Sequence, residues 1–290
     1  MRALVIGGSG QLGTEIARRW SGYDISAPSH AALDLGDAAA FEGAVERLRP
    51  DVVVNCAAFH NVDRCTAEPE RAFAANAVAV GKAASICHQH GVLFVTISTD
   101  YVFDGQAREP YRESDAPNPI STYGVSKLAG EYLVALQQSR ALVVRTCGVY
   151  GVLASSTKGY TFIDRIIAQA RVQDPIRIVS DVVASPTYAG HLAEALQHLV
   201  AAGATGLYHV ANVGIVSWFD FAVETLRQAG LTHPIEPIAA AEWRTGTRRP
   251  AFSALASERL GALHITMPSW QAGIAAYLSD KLTFDPGAAR

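Results

Sequence analysis

Tyr123 and Lys127 stand four residues apart in the stretch Tyr-Gly-Val-Ser-Lys. On a helix, positions i and i+4 share a face, so a phenol and an ammonium project into one site. A phenol of ordinary pKa, near 10, is a weak acid or base at neutral pH. A neighbouring ammonium and a cofactor cation favour the phenolate and are expected to bring that value down. Such a tyrosine can protonate a carbonyl oxygen while hydride arrives at the carbon. The pair also recurs by chance on exposed helices, so its place in the chain carries the reading. It follows Ser98-Thr99, the end of an apolar run, and open α/β sheets bind ligands at the carboxyl ends of their strands. Thr99 is then placed to hydrogen-bond the same carbonyl oxygen.

A second stretch supplies a place for the hydride donor. Ala3-Leu4-Val5-Ile6 breaks into Gly7-Gly8-Ser9-Gly10, and helical spacing resumes at Leu12, Ile16, Ala17 and Trp20. A strand ending in glycines that open a helix makes an anion site, where backbone approaches a pyrophosphate and the helix dipole faces the charge. Gly7, Gly10 and Gly13 give G-x-x-G-x-x-G, whereas the general dinucleotide fingerprint is G-x-G-x-x-G. A plain strand–helix turn shares that spacing. NAD sites usually carry an acid about 20 residues on, but here Ser26-Ala27-Pro28-Ser29-His30 precedes any carboxylate before Asp34. That leaves room for a 2′-phosphate near Ser29 and His30. NADPH is favoured over NADH, although no arginine stands beside them. Asp34-Leu35 is either an adenine contact or a surface turn.

The elements that must position these groups alternate. Strands are expected at Ala3–Ile6, Tyr23–Ala27, Asp51–Asn55, Val92–Ile97 and Ala141–Val144. Helices are expected from Asp37 to Leu48, from Pro69 to about Gln89 and from Ser121 to Gln138. Alternation of this kind specifies a parallel sheet covered on both faces. The fold class is therefore α/β, a Rossmann-type doubly wound sheet with a smaller C-terminal substrate-binding lobe. Residues 1–150 form the NAD(P)-binding domain, with about 181–211 returning to it, and 151–180 with 212–290 form the smaller lobe. In that second half, Gly151–Gly159 suits a mobile loop, and helices are expected at Phe162–Arg171, Pro186–Ala201, Trp218–Ala229 and Ser269–Leu278. Trp218, Phe219 and Phe221 read as helix core, and the tail from Phe284 as frayed.

Composition narrows the class of function. The chain has 290 residues, 49% of them hydrophobic and 18% charged, as in a compact soluble protein with a generous core. A net charge of -3 gives no reason to expect nucleic acid or an acidic membrane as partner. No apolar run approaches the ~18 residues of a membrane span. Four cysteines without a C-x-x-C pair read as reduced core residues of a cytoplasmic protein. No metal-ligand spacing is present among the nine histidines, so no metal is expected.

With these residues in place, the chain resembles the extended short-chain dehydrogenase/reductase superfamily, and within it the dTDP-4-dehydrorhamnose reductases. The resemblance runs along nearly the whole chain: Gly10 to Gly13, Leu33 to Leu35, Asn55 to Ala58, Val62-Asp63, Ser-Thr-Asp-Tyr-Val-Phe-Asp-Gly at 98–105 and Tyr123 to Glu131. It continues at Arg145-Thr146, Val149-Tyr150, Ser185-Pro186-Thr187, Gly206 to His209, and Arg249-Pro250 with Ser253 and Leu255. It implies a cytoplasmic enzyme, compatible with a homodimer, that reduces the C4 ketone of a nucleotide-activated 6-deoxy sugar with NAD(P)H. It implies Thr99, Tyr123 and Lys127 as catalytic. It also implies cofactor contacts at Gly7, Gly10, Gln11, Leu12, Gly13, Asp34, Leu35, Cys56, Ala57, Ala58, Asn76, Tyr123 and Lys127, and Ser29, His30, Ser98 and Arg145 are further candidate contacts. Candidate substrate contacts are His60, Val62, Thr99, Asp100, Tyr101, Gly148, Pro186, Thr187 and Arg249.

Departures bear on the substrate. After Arg145-Thr146 the family usually has Ser-Trp-Val-Tyr, with the tryptophan against the sugar, where this chain has Cys147-Gly148-Val149-Tyr150. Losing that ring widens the site or leaves it to be filled from elsewhere. His60-Asn61 replaces a small threonine-type position, and His60 either faces substrate or is a packed or solvated side chain. Arg244, Arg248 and Arg249 form a basic cluster suited to a diphosphate or to a solvated loop. Two alternatives stay open: an epimerase, dehydratase or reductase of the same superfamily acting on another sugar nucleotide or carbonyl compound, and a non-catalytic cofactor-binding subunit resembling the methionine adenosyltransferase β subunit.

Overall fold

The computed structural model describes residues 1–137, 140–153, 159–172, 175–242 and 246–284. The expected helix end at Gln138, the centre of the Gly151–Gly159 loop, Arg244 and nearly all of the tail lie outside the described residues.

The chain alternates as its apolar runs demand. It begins with β1 (Arg2–Ile6), α1 (Gln11–Arg19), β2 (Asp24–Ser26), α2 (Ala38–Leu48), β3 (Val52–Asn55), α3 (Val62–Ala67), α4 (Pro69–Phe73), a π turn (Ala74–Val78) and α5 (Ala79–Gln89). Then come β4 (Leu93–Thr99), α6 (Thr122–Leu136), β5 (Ala141–Thr146), α7 (Phe162–Ala170), β6 (Ile176–Val179), β7 (Val183–Ala184), α8 (Ala189–Ala201) and β8 (Gly206–His209). The described chain ends with β9 (Val216–Ser217), α9 (Trp218–Gln228), β10 (Ile235–Ile238) and α10 (Trp270–Thr283). Asp37 caps α2 by accepting from the Ala40 N–H at 3.0 Å, and Ser121 caps α6 through the Gly124 N–H at 3.1 Å. Both caps satisfy a first-turn donor that the helix cannot.

Six strands form one sheet in the order β2-β1-β3-β4-β5-β8, and every pair in it is parallel. Its two faces are covered separately. Val5, Val54, Val95 and Val144 pack against α1 and α8 through Ile16, Leu192 and Leu196. Leu4, Val53, Phe94 and Val143 pack against α2, α5 and α6 through Phe41, Val80, Ala84 and Val134. Adjacent strand residues thus serve opposite faces, which is why these strands read as unbroken apolar runs. The chain leaves β1 for β2 on one side and returns to β3 on the other, and such a reversal opens a crevice at the carboxyl ends.

Three local expectations are revised. The helix expected as continuous from Pro69 to Gln89 carries a π turn at Ala74–Val78, where Asn76 exchanges two hydrogen bonds with the Phe59 backbone. Pro186 does not start a helix. The backbone stays extended through Thr187 because it bonds the chain leaving β5, with Tyr150 N–H donating to Thr187 at 3.1 Å and Ala189 N–H to Tyr150 at 2.8 Å. Helix α8 begins only at Ala189. The short helix α3, opened by Asn61 accepting from Arg64 N–H at 3.0 Å, was not expected. Beyond β5, β6 pairs with β10 and β7 with β9, and Ile166, Ile176, Ala222 and Leu226 pack together beneath α7 and α9.

Candidate active site

The glycine turn closes on itself: Gly10 N–H donates to the Gly7 carbonyl at 2.9 Å. Gly7 has φ +77, and a Cβ there would lie 2.8 Å from the Ala57 nitrogen. A Cβ on Gly13 would lie 2.4 Å from the Gly7 oxygen. Only hydrogen at these positions lets α1 press onto the turn and the turn onto Cys56-Ala57 at the end of β3. Gly10, at the N-cap of α1, offers no side-chain acceptor to the first helical N–H groups. Those donors and the positive end of the dipole suit a phosphate.

Thr99 closes β4, and its neighbour in register on β5 is Thr146. The Tyr123 phenol lies beside the Thr99 side chain, so a residue of α6 and a residue of β4 meet at the carboxyl edge of the sheet. Thr99 Oγ1 donates to Asp100 Oδ1 at 2.9 Å and accepts from Tyr101 N–H at 3.2 Å. Lys127 is buried and donates to the Ile97 carbonyl at 2.6 Å. Burial pushes the Lys127 ammonium down to about 8, while Glu131 pulls it back up. The expectation that its charge lowers Tyr123 is corrected for the protein alone. Burial raises the phenol, the Thr99 hydroxyl beside it partly offsets this, and the charge of Asp100 raises it further.

Behind this pair stands a buried brace. Arg145 forms a two-pronged ion pair with Glu131, with Nη2 to Oε2 at 2.7 Å and Nε to Oε1 at 2.9 Å, both side chains almost wholly enclosed. Ser98 also donates to Glu131. Ser98 and Arg145, expected beside the cofactor, therefore tie β4 and β5 to α6 and set the height of Tyr123 and Lys127. Asn76 acts similarly from the π turn, donating to Ser126 at 3.0 Å one residue before Lys127.

The other expected residues divide. Cys56, Ala57 and Ala58 lie half-buried against the turn. Ser29, His30 and Asp34 are exposed beyond β2, with His30 Nε2 at 3.9 Å from Asp34, while the Leu35 side chain is committed to the core. Gln11 is half-buried and Leu12 packs in the core under α1. Tyr101 sits edge-on to Tyr123 at 5.8 Å and hydrogen-bonds Arg249, which also pairs with Asp63 at 3.0 Å. Val62 is half-buried and His60 exposed nearby. Pro186 and Thr187 are buried beside Gly148. Asp100 is enclosed, its carboxylate held by Thr99, Cys147 and Ser253, which leaves it positioning Thr99 in this geometry.

Two residues of the site carry no role in the sequence reading. Cys147 donates to Asp100 Oδ2 at 3.2 Å. Thr146 is buried with its hydroxyl unpartnered among the described residues. Strand alternation was the available signal for Thr146, since it shares the face of Thr99. The glycine turn that a Cβ would fill and this orphan hydroxyl at the sheet edge fit a dinucleotide laid across the carboxyl ends. Gly10 to Gly13 would hold its pyrophosphate, and Thr146 would meet a polar group of its reactive end.

The comparisons with known proteins agree along the whole chain. The model of the RmlD substrate binding domain family matches residues 1–283. The chain is 35% identical to the spore coat polysaccharide biosynthesis protein SpsK of Bacillus subtilis, over 97% of this chain and 98% of that one. It is 34% identical to a dTDP-4-dehydrorhamnose reductase of Burkholderia thailandensis, over 98% of this chain and 100% of the relative. A crystal structure of dTDP-4-dehydrorhamnose reductase from Bacillus anthracis in complex with NADP superposes with a TM-score of 0.91 at 31% identity, covering 96% of this chain and 99% of the other. With the glycine turn, the Thr99–Tyr123–Lys127 arrangement and a family match that reaches Thr283, the chain belongs to the RmlD substrate binding domain family of the extended short-chain dehydrogenase/reductase superfamily.

Proposed function

We propose that this protein is an NADPH-dependent reductase of the C4 ketone of a dTDP-linked 6-deoxy sugar. The observation that carries the reading is the Tyr123 phenol beside Thr99 at the carboxyl edge of the sheet, with Lys127 one helical turn away and the Gly7–Gly13 turn at the end of β1, two strands over from β4. Similarity to dTDP-4-dehydrorhamnose reductases over nearly the full length supports the substrate class, and the NADP-bound relative supports the cofactor.

NADPH, when bound, supplies the hydride to the carbonyl carbon. The chain's own residues manage the proton. A phenol raised by burial keeps its proton at neutral pH, which is the form a ketone reduction needs. Tyr123 releases that proton to the developing alkoxide, and the buried Lys127 ammonium on the same face stabilises the phenolate left behind. Thr99, bonded to Asp100, stands beside the phenol at the same edge. Arg249 beside Tyr101 suits the diphosphate of the sugar nucleotide. The proposed partner is thus a small molecule, with neither nucleic acid nor membrane involved, and the proposed compartment is the cytoplasm.

The test is NADPH absorbance with dTDP-4-dehydrorhamnose, NADH serving as the comparison. One NADPH is expected to disappear per ketone, faster than NADH. A sugar nucleotide that changes configuration while NADPH stays constant is the signature of an epimerase. Cofactor binding with no reaction on any 4-keto sugar nucleotide is that of a regulatory subunit.

A further inference from the structure

Trp218 approaches the catalytic edge from an unexpected side. It opens α9 as the residue after the Ser217 cap, and its backbone N–H donates to the Val182 carbonyl at 3.2 Å. Its ring packs against Phe162 at 4.9 Å between centroids and edge-on to Phe221 at 5.9 Å. It joins the cluster of Cys147, Ala184 and Leu255 to the aromatic cluster under α7. Phe221 is fully enclosed, whereas Trp218 keeps part of its surface exposed. This is a ring packed against aromatic neighbours in a residue that is only half-buried.

That ring meets Gly148. A Cβ on Gly148 would lie 3.2 Å from Trp218 Cη2 and 3.3 Å from the Pro186 Cα, and Gly148 has φ +53. Gly148 is two residues past Thr146, the end of β5, and Thr146 is in register with Thr99. Cys147, between them, reaches Asp100. The indole therefore stands against the backbone that continues β5 past Thr146, in space that a side chain at 148 would otherwise take.

We propose that Trp218 is a specificity-determining residue, the apolar wall against which the C–H face and C6 methyl of the 6-deoxy sugar lie. The proposal rests on the substrate reading above. Aromatic rings favour apolar C–H surface and carry little conformational entropy, and a rigid ring selects by shape at the reacting sugar while leaving the nucleotide untouched. Gly148 is the complementary part: its missing side chain admits the ring.

The test separates sugar from nucleotide. With saturating NADP⁺, dTDP-rhamnose and dTDP are titrated calorimetrically into the wild type, Trp218→Ala and Trp218→Phe. Trp218→Ala is expected to weaken dTDP-rhamnose about ten- to hundred-fold, the scale of a lost apolar contact, with dTDP and NADPH within about twofold. Trp218→Phe retains most of the sugar affinity. The indole emission that differs between wild type and Trp218→Phe should change on adding dTDP-rhamnose and not on adding dTDP, and this readout decides the matter if the alanine variant fails to fold. Unchanged dTDP-rhamnose affinity in a folded Trp218→Ala, or equal losses for both ligands, overturns the wall while the substrate reading stands. A wild type that binds neither dTDP-rhamnose nor dTDP overturns both.

Discussion

The Thr99 hydroxyl donates to Asp100 Oδ1 at 2.9 Å and stands beside the Tyr123 phenol. Burial raises that phenol, so Tyr123 is the proton-bearing group of the site. Tyr123→Phe removes the proton and keeps the ring. Turnover is expected to fall roughly 10²–10⁴-fold, the usual contribution of a general acid, with NADPH affinity nearly unchanged in a fluorescence titration. Near-normal turnover would take Tyr123 out of the mechanism.

Asp100 acts on that phenol from an enclosed position. Its charge is one cause of the raised Tyr123 phenol, so Asp100→Asn should let the phenol titrate at lower pH. Lys127, at about 8, sets the first alkaline limb of kcat/KM; the second limb, that of the phenol, should move down by on the order of one pH unit. A pH–rate profile of the two proteins checks it, and an unmoved second limb would show that Asp100 does not act through Tyr123.

Lys127 carries a stability cost that its function requires. Burial holds its folded pKa at about 8, below the value near 10.4 of an unfolded lysine. The unfolded chain therefore binds more protons between those values, and stability at this position rises with pH there. Below about pH 8 the native state carries a penalised charge. Lys127→Met should melt at a higher temperature than wild type at pH 7 while losing activity, and the gap should narrow as pH rises toward 9. Melting curves across that range measure it, and a gap independent of pH would refute the linkage.

Arg145 and Glu131 stand or fall together. Removing one partner of a buried pair leaves the other charge uncompensated, at about 3–5 kcal/mol, and Ser98 would share the disturbance. Arg145→Met should lower the urea midpoint accordingly, and the double change Arg145→Met with Glu131→Leu should recover much of the loss. A single variant as stable as wild type would mean the pair is not needed to hold α6 against the sheet.

Local chemistry made much of this legible beforehand. Apolar runs broken by glycine and capped by Asp37 or Ser121 fix strands and helices within a few residues, because caps and periodicity act over one or two turns. The glycine turn and the Tyr123–Lys127 spacing follow from the same short range. Other features did not follow. The π turn at Asn76 depends on the Phe59 backbone, the extended Pro186 segment on hydrogen bonds to Tyr150, and the rise of the Tyr123 phenol on burial by distant segments.

By itself, the order of residues determined the parallel α/β frame, the phosphate-ready turn and the helix face that pairs a phenol with an amine, since each is encoded within one element or the step to the next. Only the tertiary structure decided that Ser98 and Arg145 form a buried brace, that Asp100 faces inward to Cys147 and Ser253, and that Trp218 fills the space beside Gly148. These are meetings between residues far apart in the chain. Their outcome is set by which groups are desolvated together and which partners remain to satisfy them.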